Sequence, residues 1–407
     1  MFCEKMFALG SKSSVIRELF EYGRKRALEI GDENVYDFTI GNPSIPAPDC
    51  VKEAIIDLIE NTDPVALHGY TSAQGDIKVR TAVAEYTNET FGTNISSDNV
   101  YMTSGAAASL RICFEALVTP EDEIITFAPY FPEYKVFVES AGAKFIAIPP
   151  KDDDFQIDLD KLKEVITENT KAVIINSPNN PSGVVYSLDT IEALCEILKQ
   201  SEEKYGHPIY LVSDEPYREL VYDDVQVPCL MNYYKNTFIC YSFSKSLSLP
   251  GERIGYIIVS NEMQDSDKVY LAICGAGRAL GYVCASSMYQ RVIARCLGAT
   301  ADVSVYKRNR DLLYDGLSGM GYSCVKPGGA FYLFVKIPDS DVSGVLGASG
   351  ANAFCERAKK YEILMVPGDN FGCPGYVRIA YCVKEEQIVN SLPAFAALAK
   401  ESELFDE

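Results

Sequence analysis

Apolar residues fall into two rhythms along this chain. Between residues 98 and 259, short β-rich runs alternate with stretches whose apolar positions recur every three or four residues. The runs are VYMTSG (100–105), EIITFAP (123–129), KAVIINSP (171–178), PIYLVSDEP (208–216), TFICYSF (237–243) and RIGYIIV (253–259). Helical spacing marks 106–118 and LDTIEALCEILKQ (188–200). Continuously apolar strands separated by helices predict a mostly parallel sheet covered on both faces. Ligands of such sheets gather outside the carboxyl ends of the strands, so the residues that close each run are the first candidates for chemistry.

Elsewhere the pattern changes. SSVIRELFEYGRKRALEIG (13–31) predicts an amphipathic helix, followed by the Pro- and Gly-rich GNPSIPAP (41–48). Residues 268–295 read as helical but interrupted by glycines, and YKRNRDLLYDGL predicts a long helix running into the α+β segment GYSCVKPGGAFYLFVKI. No internal repeat or low-complexity linker breaks the chain. A length of 407 residues suggests two domains. We expect a large α/β domain over 49–305 and a smaller one built from both ends, 1–48 and 306–407.

Composition narrows the function. A formal net charge of −20 argues against nucleic acid or an anionic membrane as partner. No apolar run approaches the roughly 18–20 residues of a membrane span, and the N-terminus lacks a signal-peptide pattern. Of thirteen cysteines the closest two, Cys373 and Cys382, are nine apart, so no metal-ligand spacing occurs and reduced thiols in the cytoplasm are expected. With only His68 and His207 available, a catalytic triad or a His-bound metal is disfavoured, and acid–base work must fall to another residue type.

The strand ends supply candidates. Gly105, Ala106 and Ala107 in SGAAAS stand where a strand becomes a helix; small side chains there open backbone N–H groups to an anion, although a close-packed turn reads the same way. Asn180 in SPNNPSG is either a turn cap or a side chain able to donate and accept. Asp214, closing an apolar strand, calls for a cationic partner, and Tyr217 follows it by three. Lys245 lies in SFSKSLSLPGER; a lone lysine there would snorkel to the surface, but a buried one becomes a nucleophile and base. Ser242, Ser244 and Arg253 are suitable phosphate donors. An amine, a carboxylate and a phosphate cradle are what pyridoxal 5′-phosphate (PLP) requires.

With these residues in hand the chain resembles the class I/II, fold-type I PLP-dependent aminotransferases. The resemblance rests on GNP, YTSAQG, SGAAAS, APYFPEY, NSPNNPSG, SDEPYREL, SFSKSLSLPGERIGY, PGGAFY and VRIAY, all in family order across nearly the whole chain. It implies an α/β fold with a seven-stranded-type sheet, a small α+β domain and a homodimer with shared sites. Lys245 would form the Schiff base and shuttle the proton, Asp214 would pair with the ring nitrogen, and Tyr217 and Asn180 would bond the ring hydroxyl oxygen. Phe131 would stack on the ring. Ala106, Ala107, Ser242 and Arg253, with Ser244 as a further candidate, would hold the phosphate, joined by Tyr70 from the partner subunit. Arg378 of VRIAY would grip the substrate α-carboxylate beside the backbone of Gly41.

For the substrate, the resemblance points to Arg278, about 33 residues beyond Lys245, as a partner-supplied cation for the second carboxylate of aspartate or glutamate. Ala107 stands where one bacterial branch carries a lysine. The expected activity is therefore ping-pong amino transfer from an acidic L-amino acid to a 2-oxo acid such as 2-oxoglutarate. Alternatives are an aminotransferase for alanine or aromatic amino acids and a cystathionine-type β-lyase. A PLP-sensing regulator would need a basic DNA-binding module, and the arm before GNP is about forty residues long. Lys326 and Lys336 match no motif and are expected on the surface.

Overall fold

A computed structural model describes residues 2–11, 15–338 and 350–402. Strand β1 is Tyr36–Asp37. The central sheet follows with β2 (Val100–Thr103), β3 (Glu123–Phe127), β4 (Lys144–Ile148), β5 (Thr170–Asn176), β6 (Tyr210–Asp214), β7 (Thr237–Ser242) and β8 (Gly255–Val259). These seven pair in the order β2-β8-β7-β6-β5-β3-β4. β8 runs antiparallel to both neighbours, and the other pairings are parallel. The runs of β5 to β8 are almost wholly buried, as continuous apolar strands should be when helices cover both faces. Cys113, Ile174, Val212, Phe238 and Ile257 share one core on one side, while Ile125, Val173, Leu194 and Leu211 share another.

A second sheet comes from the carboxyl-terminal third: β9 (Ser323–Cys324), β10 (Tyr332–Lys336), β12 (Val366–Pro367) and β13 (Tyr376–Ala380), ordered β12-β13-β10-β9. β11 (Ile363–Leu364) instead pairs in parallel with β1, tying the amino-terminal arm to this part of the molecule. The helices Val303–Gly319 and Glu385–Glu401 pack with it around Phe331, Leu333, Ile379 and Phe395. We propose the division into 49–305 and the two flanking segments on this basis.

The stretch 268–295 is helical and interrupted at a glycine, as expected: the helices Ser266–Ala279 and Ser287–Ala294 are separated at Gly281, whose φ of +82° suits glycine. Gly277 lies inside the first of these helices because a Cβ there would collide with the Tyr101 hydroxyl. The amino-terminal helix is Val15–Ile30; its expected start at Ser13 lies outside the described residues. Lys326 and Lys336 form solvent-facing ion pairs with Asp311 and Asp153, at 3.1 and 2.9 Å.

Candidate active site

The carboxyl edge of the central sheet opens onto a cleft of about 400 Å³. Each parallel strand delivers its residues as its hydrogen-bonded run ends. β2 turns through Gly105 into the helix Ala106–Leu117, β3 leads to Phe131, β5 to Asn180, β6 ends on Asp214, and β7 ends on Ser242, three before Lys245. Arg253 reaches the same edge for the opposite reason. It precedes β8, whose antiparallel direction brings its start, rather than its end, to the cleft. From the second sheet come Tyr332 of β10 and Arg378 of β13, and from the arm Gly41.

Lys245 is buried enough that desolvation pulls its amine down to about 8; the neighbouring Cys382 opposes this, and Arg378 and Arg253 assist it. Its Nζ donates to the carbonyl of Gly41 at 2.6 Å. Asp214 is displaced the other way. Burial raises its carboxyl to about 7, with the hydrogen bond from Tyr134 opposing and the charge of Glu215 adding to the rise. Tyr134 Oη donates to Asp214 Oδ2 at 2.6 Å, whereas Oδ1 is buried with no hydrogen-bond partner among the described residues. Behind it, Asn176 donates to the Asp214 backbone carbonyl at 2.8 Å and accepts from the Asn180 N–H at 2.7 Å, locking the two loops together.

Arg378 occupies a strand flanked on both sides, paired with Phe334 and Val366, and is therefore buried rather than at a sheet edge. Its Nη1 donates to Asn180 Oδ1 at 3.1 Å and its Nη2 to the Thr39 carbonyl at 2.5 Å, while Nε is buried with no hydrogen-bond partner among the described residues. The rings of Tyr332 and Phe371 lie 4.7 and 5.0 Å from the guanidinium. Among the described residues, none of its hydrogen bonds goes to a carboxylate, and burial lowers its pKa from the usual arginine value. A buried cation so arranged is waiting for an anion. Tyr217 meets Tyr332 hydroxyl to hydroxyl at 2.9 Å, and Tyr332 fills the space that a Cβ on Gly41 would take.

The cradle for an anion lies at the start of the helix Ala106–Leu117. Gly105 is its cap with φ +91° and no side-chain hydrogen bond, leaving the first N–H groups for an incoming acceptor. A Cβ at position 105 would sit 2.9 Å from Arg253 Nη2, so glycine is what lets the guanidinium close over this end. Ser242 and Ser244 hydroxyls lie 2.7 Å apart beside it. The residues present fit PLP: a depressed amine for an aldehyde, an orphaned carboxylate oxygen for a pyridinium, and uncapped N–H groups with an arginine for a phosphate.

The cleft thus gathers Gly41, Ala106, Ala107, Phe131, Asn180, Asp214, Tyr217, Ser242, Ser244, Lys245, Arg253 and Arg378, with Gly105 beneath Arg253. It does not gather Tyr70, which is 99% exposed, or Arg278, which is exposed on the helix Ser266–Ala279. Sequence reasoning missed Tyr134, Tyr332 and Arg17. Tyr134 was within sight in APYFPEY: it follows Phe131 by three on a helical turn, and the two rings pack edge to face at 5.6 Å.

Tyr134 yields a prediction. Replacing it by phenylalanine removes, among the described residues, the one donor to the Asp214 carboxylate in a buried site, where a hydrogen bond to a charged group is worth about 1.5–3 kcal/mol. Because that bond lowers the carboxyl pKa, its loss drives Asp214 further up. Tyr134→Phe should release PLP roughly 10–100-fold more readily at pH 8, read from the absorbance lost on dilution or dialysis. Unchanged retention would show that the bond does not tune the site.

Fold and donor set together define the class I aminotransferase architecture. Residues 33–395 match the family described as aminotransferase class I and II, and the chain belongs to that family. It is 30% identical over 375 residues to the aspartate aminotransferase of Thermotoga maritima, covering 91% of this chain and 92% of that one. It is 27% identical to aromatic-amino-acid aminotransferase 2 of Thermococcus litoralis, covering 96% and 97%. A crystal structure of an amino transferase from Eubacterium rectale superposes with a TM-score of 0.95 at 57% identity, covering 99% of both chains. The chain is an aminotransferase, and its family relatives depend on PLP.

Proposed function

We propose that this protein moves the α-amino group of an acidic L-amino acid, aspartate or glutamate, to a 2-oxo acid such as 2-oxoglutarate, with PLP in the cleft. The observation that carries it is one cleft lined by Lys245, Asp214 and a buried Arg378 whose Nε, among the described residues, has no hydrogen-bond partner. When bound, PLP supplies an electron sink for the electrons left at Cα as its proton departs. Asp214 would hold the ring nitrogen protonated, which would keep that sink deep. Arg378 and the backbone of Gly41 would orient the α-carboxylate in the cleft that Lys245 also lines. The lysine amine, about half neutral near pH 8, would take the proton from Cα. Tyr217 and Asn180 serve the ring hydroxyl oxygen, and the Ala106–Ala107 turn with Ser242 and Arg253 serves the phosphate.

Support for an acidic donor comes from the aspartate-named relative; the aromatic-named one marks the competing reading. Half-reactions test it: the PLP-loaded protein is mixed with aspartate, glutamate, alanine or phenylalanine and the cofactor spectrum followed. Reaction with alanine or phenylalanine but neither dicarboxylate would discard the acidic-donor reading. Pyruvate and ammonia from cystathionine without any oxo acid would replace it with a β-lyase.

We also propose a homodimer in the cytoplasm, the compartment its thirteen unbridged cysteines suit. Tyr70 stands in open solvent, Val65, Leu271 and Val283 are exposed as well, and Arg278, also exposed, would enter from a second copy. Shared sites predict complementation: mixing inactive Lys245→Ala and weakened Tyr70→Ala chains should regain activity on subunit exchange. A mixture that stays at the sum of its parts would sink the shared-site reading.

A further inference from the structure

One hydrogen bond in the cleft can use up a proton that the proposed function needs elsewhere. The Tyr217 and Tyr332 hydroxyls lie 2.9 Å apart, and either oxygen could donate. A phenol has a single O–H to give. If Tyr217 gives its proton to Tyr332, none is left for the ring hydroxyl oxygen of the cofactor. If Tyr332 donates instead, the Tyr217 proton is free for that oxygen.

Tyr332 is fixed against both of the residues proposed to serve it. In the segment 327–330, just before β10, the Gly329 N–H donates to the Gly183 carbonyl at 3.0 Å and the Ala330 N–H to the Leu220 carbonyl at 2.8 Å. The first bond ties this segment to the loop of Asn180, the second to the stretch that follows Tyr217. A Cβ on Gly183 would come 2.7 Å from the Tyr332 carbonyl, and one on Gly41 would overlap the Tyr332 hydroxyl, so two glycines make room for this residue. Its ring lies 4.7 Å from the Arg378 guanidinium and meets that of Tyr217 edge to face at 5.7 Å. Burial raises both phenols, Tyr217 well above the ordinary tyrosine value and Tyr332 to about 12, with Arg378 opposing the rise in each. The more acidic phenol is the better donor, which favours Tyr332 in that role.

We infer that Tyr332 is a positioning residue: its hydroxyl donates to Tyr217 and so commits the Tyr217 proton to the cofactor's ring hydroxyl oxygen. The inference rests on the aminotransferase reading and deepens it. In a buried chain of hydrogen bonds each donor polarises the next, so the bond Tyr217 makes is strengthened by the one it receives. The Tyr332 ring serves Arg378 through its π face and needs no hydroxyl for that.

The test uses the PLP-loaded protein as wild type, Tyr332→Phe, Tyr217→Phe and the double variant. Tyr332→Phe keeps the ring beside Arg378 and removes the hydroxyl alone. One readout is the pH midpoint of the cofactor's visible absorbance, measured without any amino acid. An oxygen with a weaker donor is a stronger base, so Tyr332→Phe should raise that midpoint by about half a unit or more. The other is the half-reaction with aspartate, or with whichever of glutamate, alanine and phenylalanine the wild type accepts. There kcat should fall about three- to tenfold while KM stays within about twofold. Added to Tyr217→Phe, the Tyr332 substitution should move neither quantity further, because the residue it acts through is already gone. A midpoint unchanged in Tyr332→Phe, or an equal shift in both backgrounds, would overturn the inference. Wild type that binds no PLP, or reacts with none of the four amino acids, would instead remove the aminotransferase reading, a separate and recognisable result.

Discussion

Lys245→Ala should abolish amino transfer, lowering the half-reaction rate by about 10⁴-fold or more. General acid–base catalysis alone contributes about 10²–10⁴-fold, and the same side chain is the covalent anchor of the cofactor. Among the described residues that line the cleft, Lys245 carries the one amine. The cleft's other cations are guanidinium groups that keep their protons, and Cys382 is a thiol that burial pushes up to about 12. Borohydride reduction of the PLP-loaded wild type should fix the cofactor on the peptide containing residue 245 and on none in the variant. Label on another peptide, or residual activity near wild type, would refute the assignment.

The same amine predicts a pH dependence. Only its neutral form attacks an aldehyde, and with a pKa of about 8 the neutral fraction falls roughly tenfold for each pH unit below that. Capture of PLP by the cofactor-free protein should therefore accelerate from pH 6 to pH 8 and level off above it. For stability the sign follows from proton counts. Between about 8 and the ordinary lysine value near 10.4 the unfolded chain binds more protons here than the folded one, so this group's contribution to stability rises with pH through that window.

Asp214→Asn should do two opposite things. In the loaded enzyme it should cost about 10³-fold or more in rate, because a neutral amide cannot hold the ring nitrogen protonated and the electron sink weakens. In the cofactor-free protein it should stabilise the fold at pH 8. The carboxyl, raised by burial to about 7 from an ordinary value near 3.9, binds more protons folded than unfolded across that interval. Stability from this group is thus lost as pH rises from about 4 to 7, and the penalty is complete above 7. Removing the charge should recover roughly 2–4 kcal/mol at pH 8, less what the amide pays for its own burial. The measurement is the difference in cofactor-free denaturation between wild type and variant at pH 5 and pH 8. A difference that does not grow toward pH 8 would show that Asp214 is not held out of water as described.

Both effects have one origin. Lys245, Asp214 and Arg378 are each buried in the ionisation state that suits a ligand rather than the fold, so the cleft stores destabilisation that cofactor and substrate relieve.

What the chain order determined is the part written in local physics. Continuous apolar runs such as KAVIIN and TFICYS had to be strands buried on both faces, and the helical rhythm between them required crossovers, so a mostly parallel sheet followed. Strand ends in such a sheet share one edge, which is why the sequence alone groups Asp214, Lys245, Asn180 and Ala106. Resemblance added Arg378 and Gly41, whose strand and arm carry no local sign of the cleft.

Tertiary structure decided the rest. Nothing in RIGYIIV says that β8 runs against its neighbours, yet that reversal alone puts Arg253, at the start of its run, on the edge where other strands place their ends. Tyr134 acquires its role from a partner eighty residues away, and Tyr332 from Tyr217 across 115. Arg17 reaches the cleft because Leu19, Gly23 and Arg26 dock its helix on residues more than 300 positions further along. A periodic pattern reveals which face of an element is buried, but not what that face is buried against, and chemistry made by two distant elements is invisible until they meet.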